Sequence, residues 1–545
     1  MRLHSSFTRL LVLLSLLGLS ASYSVAQSAP QATPSMTTWH NNKGRTGNNL
    51  LETTLTYKNV NQSSFGKLFS QPVDGFIYSQ PLYVPNVPVA GMGTHNVVYV
   101  TTMNDSVYAF DADTNTGNDA SPLWHVNFTN PSAGITTVPT SAVGCSNFIT
   151  TQIGIVGTPV IDPSNTTMFV VVRTEENGVF YQRLHALDIT SGAEKFGGPV
   201  VISGSAPGTG TGSVNGVISF DPLLENQHGA LLLQNGMVYI AWGSHCDISN
   251  YHGWVMAYAE TTLQQEGLWL TTPNAQKGAI WGAGAGPAGD ATTNVFLPTA
   301  NGGFDVGRGG SDYGQTMVKL GAPSGGELPI LDYFTPYDGP SLNVGDWDLG
   351  SGGLMLLPDQ PTGPVLHLLV QSNKKGDIYL VNRDNMGHYN QQNNNQIVQY
   401  LPAADSGMWS SPAWWNNNVY VGAAGDHIKD FSFTPSTGLL STTPVSQTTK
   451  KFSYPGTTVA ISANQNANAI LWALDTATYS SSTGNAVLYA YEANNLTDGL
   501  YSSNQNGARD SAGAAVKFQI PVVVNGKVYV GTQTQLSVYG LLADK

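Results

Sequence analysis

VVYVTTMNDSVYAFDADTNTG, Val97 to Gly117, runs from an apolar strand through a short polar turn into an aromatic strand that ends in a small residue, Asp and a Gly-containing turn. The order returns in FVVVRTEENGVFYQRLHALDITSG (Phe169 to Gly192), VYIAWGSHCDISNYHGWVMAYAETT (Val238 to Thr262) and LHLLVQSNKKGDIYLVNRDNMG (Leu366 to Gly387). A unit recurring at roughly 40 to 60 residues buries its apolar faces only against copies of itself, which is the logic of stacked blades around an axis. The expected fold class is all-β, a single eight-bladed β-propeller of four-stranded antiparallel blades, or seven blades if one unit is wrongly divided.

Eight units follow from the spacing: Phe76 to Asn130, Gly154 to Ser203, Leu231 to Thr272, Gly278 to Tyr337, Asp348 to Leu401, Met408 to Gln447, Val459 to Tyr501, and Val516 to Leu542. The last has three strands before the chain stops. Strand-like Phe65 to Val73 can supply the fourth and remove the exposed edges of an open ring. The propeller is thus expected over residues 65–545.

Ahead of it, residues 1–26 read as an export signal: Arg2 and Arg9, an apolar run from Leu10 to Leu19, and small residues up to Ala26. Residues 27–64 read as a flexible N-terminal segment, low in complexity from Gln27 to Thr38. The mature protein is expected in the periplasm or outside the cell, with no membrane insertion, since no later stretch approaches about 20 apolar residues. In an oxidising compartment Cys145 and Cys246 can form a disulfide, because both lie in connections that emerge on one face of a propeller. Two separately buried thiols are the alternative.

A net charge of -13 with 22 basic residues excludes a nucleic-acid partner, for no basic stripe is present to neutralise phosphates. Walker, GxSxG, HExxH and CxxC signatures are missing. His245, Cys246, Asp247 and His252 have the composition of a metal cluster in an irregular loop. Two glycine-rich stretches, Gly204 to Gly216 and Asn301 to Gly314, are too long and polar for hairpin turns and read as surface loops, where function concentrates. His388 to Gln396 reads as a solvated hairpin tip.

The Asp, Gly and following Trp of FDADTNTGNDASPLWH (Phe110 to His125), together with Leu331 to Asn385 and GAIWGAGAG (Gly278 to Gly286), resemble the quinoprotein alcohol dehydrogenases, eight-bladed propellers that bind pyrroloquinoline quinone (PQQ) and usually calcium. The resemblance implies a catalytic base at Asp348, cofactor contacts from Lys374 and Trp281, and Asp247 as the nearest candidate metal ligand. It departs from the family at Ile280, which stands where a ligand Asn is expected, and in lacking the adjacent-cysteine disulfide. Oxidising an alcohol by hydride transfer needs a base for the hydroxyl proton and a cation for charge developing on the acceptor, which is why Asp and Lys suit these places. The residues themselves leave other readings open. Asp348 can pin a turn, Lys374 and Lys375 can be a solvated tip, and Trp281, Trp409, Trp414 and Trp415 can be packing between blades. Two functions therefore stand: a quinone-dependent alcohol or sugar dehydrogenase, and a cofactor-free propeller that binds polysaccharide or protein through its open-face loops.

Overall fold

Each apolar-turn-aromatic unit pairs with itself before it meets a neighbour. In the first, Gly93–Thr101 lies antiparallel to Ser106–Asp111, with Val97 opposite Asp111 and Thr101 opposite Val107. The repeated Asp closes the turn: Asp111 Oδ1 accepts the backbone N–H groups of Asp113 and Thr114, both at 2.8 Å, and Asp188 does the same for Thr190 at 2.7 Å. The computed structural model describes Met1 and residues 34–145, 152–248 and 250–543. It divides into residues 1–33 and 34–545, and the propeller is the second unit. The expected export signal lies outside the described residues apart from Met1, as do residues 27–33.

Eight antiparallel blades make an eight-bladed propeller, in the order read from the repeats. Eight apolar clusters separate them, one at each junction; between blades 2 and 3, for example, Trp242 and Trp254 are wholly buried with Phe169 and Leu231. The ring closes as expected: Phe65–Pro72 pairs antiparallel with Gln535–Leu541, so blade 8 takes its outer strand from the beginning of the propeller. Several boundaries differ, among them that of blade 2, which gains Ile135–Pro139, and that of blade 3, whose edge gains Gly326–Glu327. Blade 6 continues to Phe452, because Ser446–Phe452 pairs with Asp426–Thr434. His388–Tyr389 is no free tip but adds in parallel to Ile330–Thr335 at the edge of blade 4. No helix of the described residues is long and apolar enough to cross a membrane.

The larger correction concerns residues 36–64, expected to be flexible. Their polar composition gave no sign of a partner, yet residues 36–49 thread the axis and bond to every blade, and Leu55 and Val60 are buried between blades 7 and 8. Met36 exchanges two backbone hydrogen bonds with Tyr83, both 2.8 Å, and Thr37, Lys43, Gly44, Thr46 and Gly47 accept from Ile161, Gly289, Leu356, Trp414 and Ile461. Arg45 donates to Leu231 O of blade 3, and Asn49 Nδ2 to Val523 O of blade 8. Asn48–Asn49 then runs parallel to the first strand of blade 7. Gly47, at φ 67°, passes so close to His40 that a Cβ there would lie 2.2 Å from the imidazole.

Candidate functional site

The connections leading into the first strands of the blades and the turns between second and third strands gather on one face of the ring. There they enclose an axial cavity of about 220 Å³. Of the residues singled out from sequence, Asp348, Lys374, Trp281, Trp409, His245, Cys246 and Asp247 all line it, joined by His228, Ser351, Tyr454 and Phe518. The N-terminal segment lies deeper on the axis, where Trp39 packs with Ala230, Ala285 and Ile520.

Asp348 and Lys374 form the charged wall. Lys374 Nζ is 3.3 Å from Asp348 Oδ2 and 2.7 Å from Asp346 Oδ2, and sits 5.9 Å from the centre of the Trp409 ring. The turn is set by backbone as well: Lys374 N–H donates to Asp348 O at 3.0 Å, and Asn301 N–H donates to Asp348 Oδ1 at 3.0 Å. Asp348 is thus both a turn brace and a cavity group. Its carboxyl is pushed up to about 6 because burial outweighs the neighbouring ammonium. Burial pulls the Lys374 ammonium the other way, but the charges of Asp348 and Asp346 raise it above its ordinary value.

Facing this pair is a second cluster. Tyr251 donates its hydroxyl to Asp247 Oδ1, Lys277 Nζ lies 3.6 Å from Asp247 Oδ2, and the Tyr251 and Trp281 rings are 6.0 Å apart. Burial pushes His228 down to about 4 and His245 well below its usual range, so both imidazoles are neutral at pH 7. Cys246 is bonded to Cys145, with the Cα atoms 6.1 Å apart.

By composition His245, Cys246, Asp247 and His252 group as metal ligands. The structure gives three of them other partners: Cys246 is in the disulfide, Asp247 is held by Tyr251 and Lys277, and His252 bonds Thr272 Oγ1 at 2.9 Å and Thr211 O at 2.8 Å. Among the described residues, only His95, Asp111 and Asp119 bring three such ligand atoms within 4.8 Å. There His95 already bonds Asp111 at 2.7 Å and Met92 O at 3.1 Å. Ile280 is in the core between blades 3 and 4. Trp414 and Trp415 are in blade junctions, as expected of packing residues, whereas Trp409 turns to the cavity.

No family model matches the chain, and no curated protein matches it. Among solved structures it is similar to a quinohemoprotein alcohol dehydrogenase from Comamonas testosteroni, at a TM-score of 0.59 and 13% identity over 94% of this chain and 81% of the other. The quinohemoprotein alcohol dehydrogenase ADHIIG from Pseudomonas putida HK5 gives 0.56 and 15% over the same shares. A europium-containing methanol dehydrogenase gives 0.57 and 12%, over 93% of this chain and 98% of that one. The likeness is one of fold. His228, Ser351, Tyr454 and Phe518 were missed from sequence, although each stands shortly before the first strand of a blade. That shared offset was the available signal.

Proposed function

We propose that the axial cavity is the reaction site of a quinone-dependent dehydrogenase acting on an alcohol or a sugar. The observation that carries this reading is the convergence of Asp348, Lys374 and Trp281 on one cavity. Four aromatic side chains, Trp281, Trp409, Tyr454 and Phe518, with the Lys374 ammonium suit a flat anionic quinone. Such a quinone would supply the hydride acceptor. Asp348 would take the hydroxyl proton: with its carboxyl at about 6 it is mostly ionised at pH 7, yet more basic than a solvated aspartate. Lys374 would hold negative charge developing beside it.

Calcium does not fit the same residues. A hard cation needs about six to eight oxygens. Asp348 is held by Lys374 and Asn301, Asp247 by Tyr251 and Lys277, and Ile280 offers none. The roles of Asp348 and Lys374 do not run through that ion. This shortage favours the second reading, a cofactor-free propeller binding polysaccharide or protein. The leader-like residues 1–26 and the Cys145–Cys246 bond support placement in the periplasm or outside the cell.

Titration of the purified chain with PQQ, with and without calcium, tests the reading through bound-quinone absorbance. Asp348→Asn should keep the quinone and lose alcohol-dependent dye reduction by about 10²- to 10⁴-fold, while Lys374→Ala should weaken the quinone itself. A wild type that neither binds quinone nor reduces dye at any calcium concentration establishes the cofactor-free reading instead.

A further inference from the structure

The two glycine-rich insertions, nearly a hundred residues apart in sequence, pack on the same loop, residues 273–277. Ser205–Pro207 and Val217–Ser219 of the first form a hairpin outside the blade pattern. Beyond its first strand, Thr209 to Thr211 bound a groove of about 540 Å³ together with the second insertion and the loop before blade 4. We propose that this groove binds a neutral polyhydroxylated ligand, a carbohydrate chain.

The lining carries the chemistry. Thr209 and Thr211, whose hydroxyl protons go to Asn274 Oδ1 and Ala275 O, offer hydroxyl oxygens as acceptors, and Asn274, Gln276 and Asn343 offer amide groups, which together suit an array of ligand hydroxyls. Among the described residues no carboxylate lines it, and Ala275 is its only apolar side chain besides glycines. An anionic ligand is disfavoured because the one cation of that lining, Lys277, is already beside Asp247 at 3.6 Å. A protein partner would want aromatic or aliphatic anchors, which this lining lacks.

The groove is built, not incidental. Asn274 Oδ1 accepts from Thr209 N at 3.2 Å and Oγ1 at 3.0 Å, Asn274 N donates to Asp312 Oδ1 at 2.8 Å, and Asn343 Oδ1 accepts from Gly302 N at 2.8 Å. A Cβ on Gly303 would fall 2.0 Å from that of Ala275, so only glycine lets the two loops approach. The groove adjoins the axial cavity, since its Lys277 lies 3.6 Å from Asp247 of the cavity lining. Its binding does not depend on the quinone reading.

The test is calorimetric titration of the full chain with neutral tetrasaccharides of β-1,4-glucose, α-1,4-glucose and β-1,4-N-acetylglucosamine, with tetragalacturonate as the anionic comparison. Saturable binding of at least one neutral chain is expected. Gln276→Ala, which removes an exposed side chain, should weaken it about fivefold, as should Thr209→Val. Saturating PQQ should leave it unchanged. The proposal fails if no neutral chain binds, if only galacturonate binds, if both variants bind as the wild type does, or if PQQ displaces the saccharide.

Discussion

Two groups of buried charge lie on the axis, and they are treated in opposite ways. Arg45, in the N-terminal segment, is wholly buried with no carboxylate of the described residues paired to it, yet its donors reach Pro287 O, Leu231 O, Trp39 O and Thr38 Oγ1 at 2.7 to 3.1 Å. His40 lies with Nδ1 2.7 Å from Arg45 O and Nε2 2.9 Å from Val459 O; burial lowers it to about 4, so the neutral ring donates to one of these two carbonyls. In the cavity, by contrast, His245 Nε2 is buried with no hydrogen-bond partner among the described residues, and Asp348 holds a carboxyl at about 6. A buried cation whose every donor finds an acceptor, as Arg45 does, fixes a structure; a polar group left without a partner is a place for a ligand or a proton.

The severest way to break the contrast is to remove the N-terminal segment. Deleting residues up to Gly75 takes away the axial thread and the outer strand of blade 8, exposing edges at the end of the ring. Cooperative unfolding should be lost, as read by coincidence of fluorescence and circular-dichroism transitions in urea. An unchanged midpoint would show that neither closure nor thread matters to stability.

That thread was not legible in the sequence, and the reason is physical. Its bonds go to backbone carbonyls and amides of strands scattered from Tyr83 to Val523, and a backbone partner leaves no mark on residue identity. The blades were legible because each depends on local chemistry: an Asp that caps a turn, as Asp111 and Asp188 do, and an alternating apolar strand. The site lay between these cases. Asp348, Lys374 and Trp281 were singled out through resemblance and all line one cavity, which Asp247 reaches as well although no oxygen shell surrounds it. Tyr454 and Phe518 look like ordinary packing residues until the ring is closed.

A single substitution then sharpens the contrast. Arg45→Met keeps volume but leaves the acceptors Pro287 O, Leu231 O and Trp39 O without their donor. It should cost about 3 to 5 kcal/mol in chemical denaturation, with the fold retained. A loss below about 1 kcal/mol would mean water replaces the guanidinium freely.

The disulfide belongs to the cavity side of the comparison, since Cys246 lines it. Replacing Cys145 and Cys246 with Ser opens a 101-residue loop and should lower stability by about 2 to 4 kcal/mol. Non-reducing mass spectrometry of exported protein should show no free thiol. Two alkylatable thiols in the unfolded, unreduced protein would end this expectation.

Asp348 offers the finest separation of structure from function. Its folded pKa of about 6 lies above the ordinary carboxylate value, so its contribution to stability is fully present below about pH 4 and is lost as pH rises through 6. Asp348→Asn cannot lose that contribution. The stability of the variant relative to wild type should therefore rise by about 1 to 3 kcal/mol between pH 4 and pH 8. Asp405 and Asp430, which burial also pushes up to about 7, titrate alike in both proteins and cancel in the difference. Urea unfolding of the two proteins across that range is the measurement. A flat difference would mean the Lys374 ammonium fully offsets burial, and Asp348 would then be a turn brace with an ordinary carboxylate. A rising one, in a variant that no longer turns over alcohol, would mark a carboxylate kept at a cost in stability for its basicity.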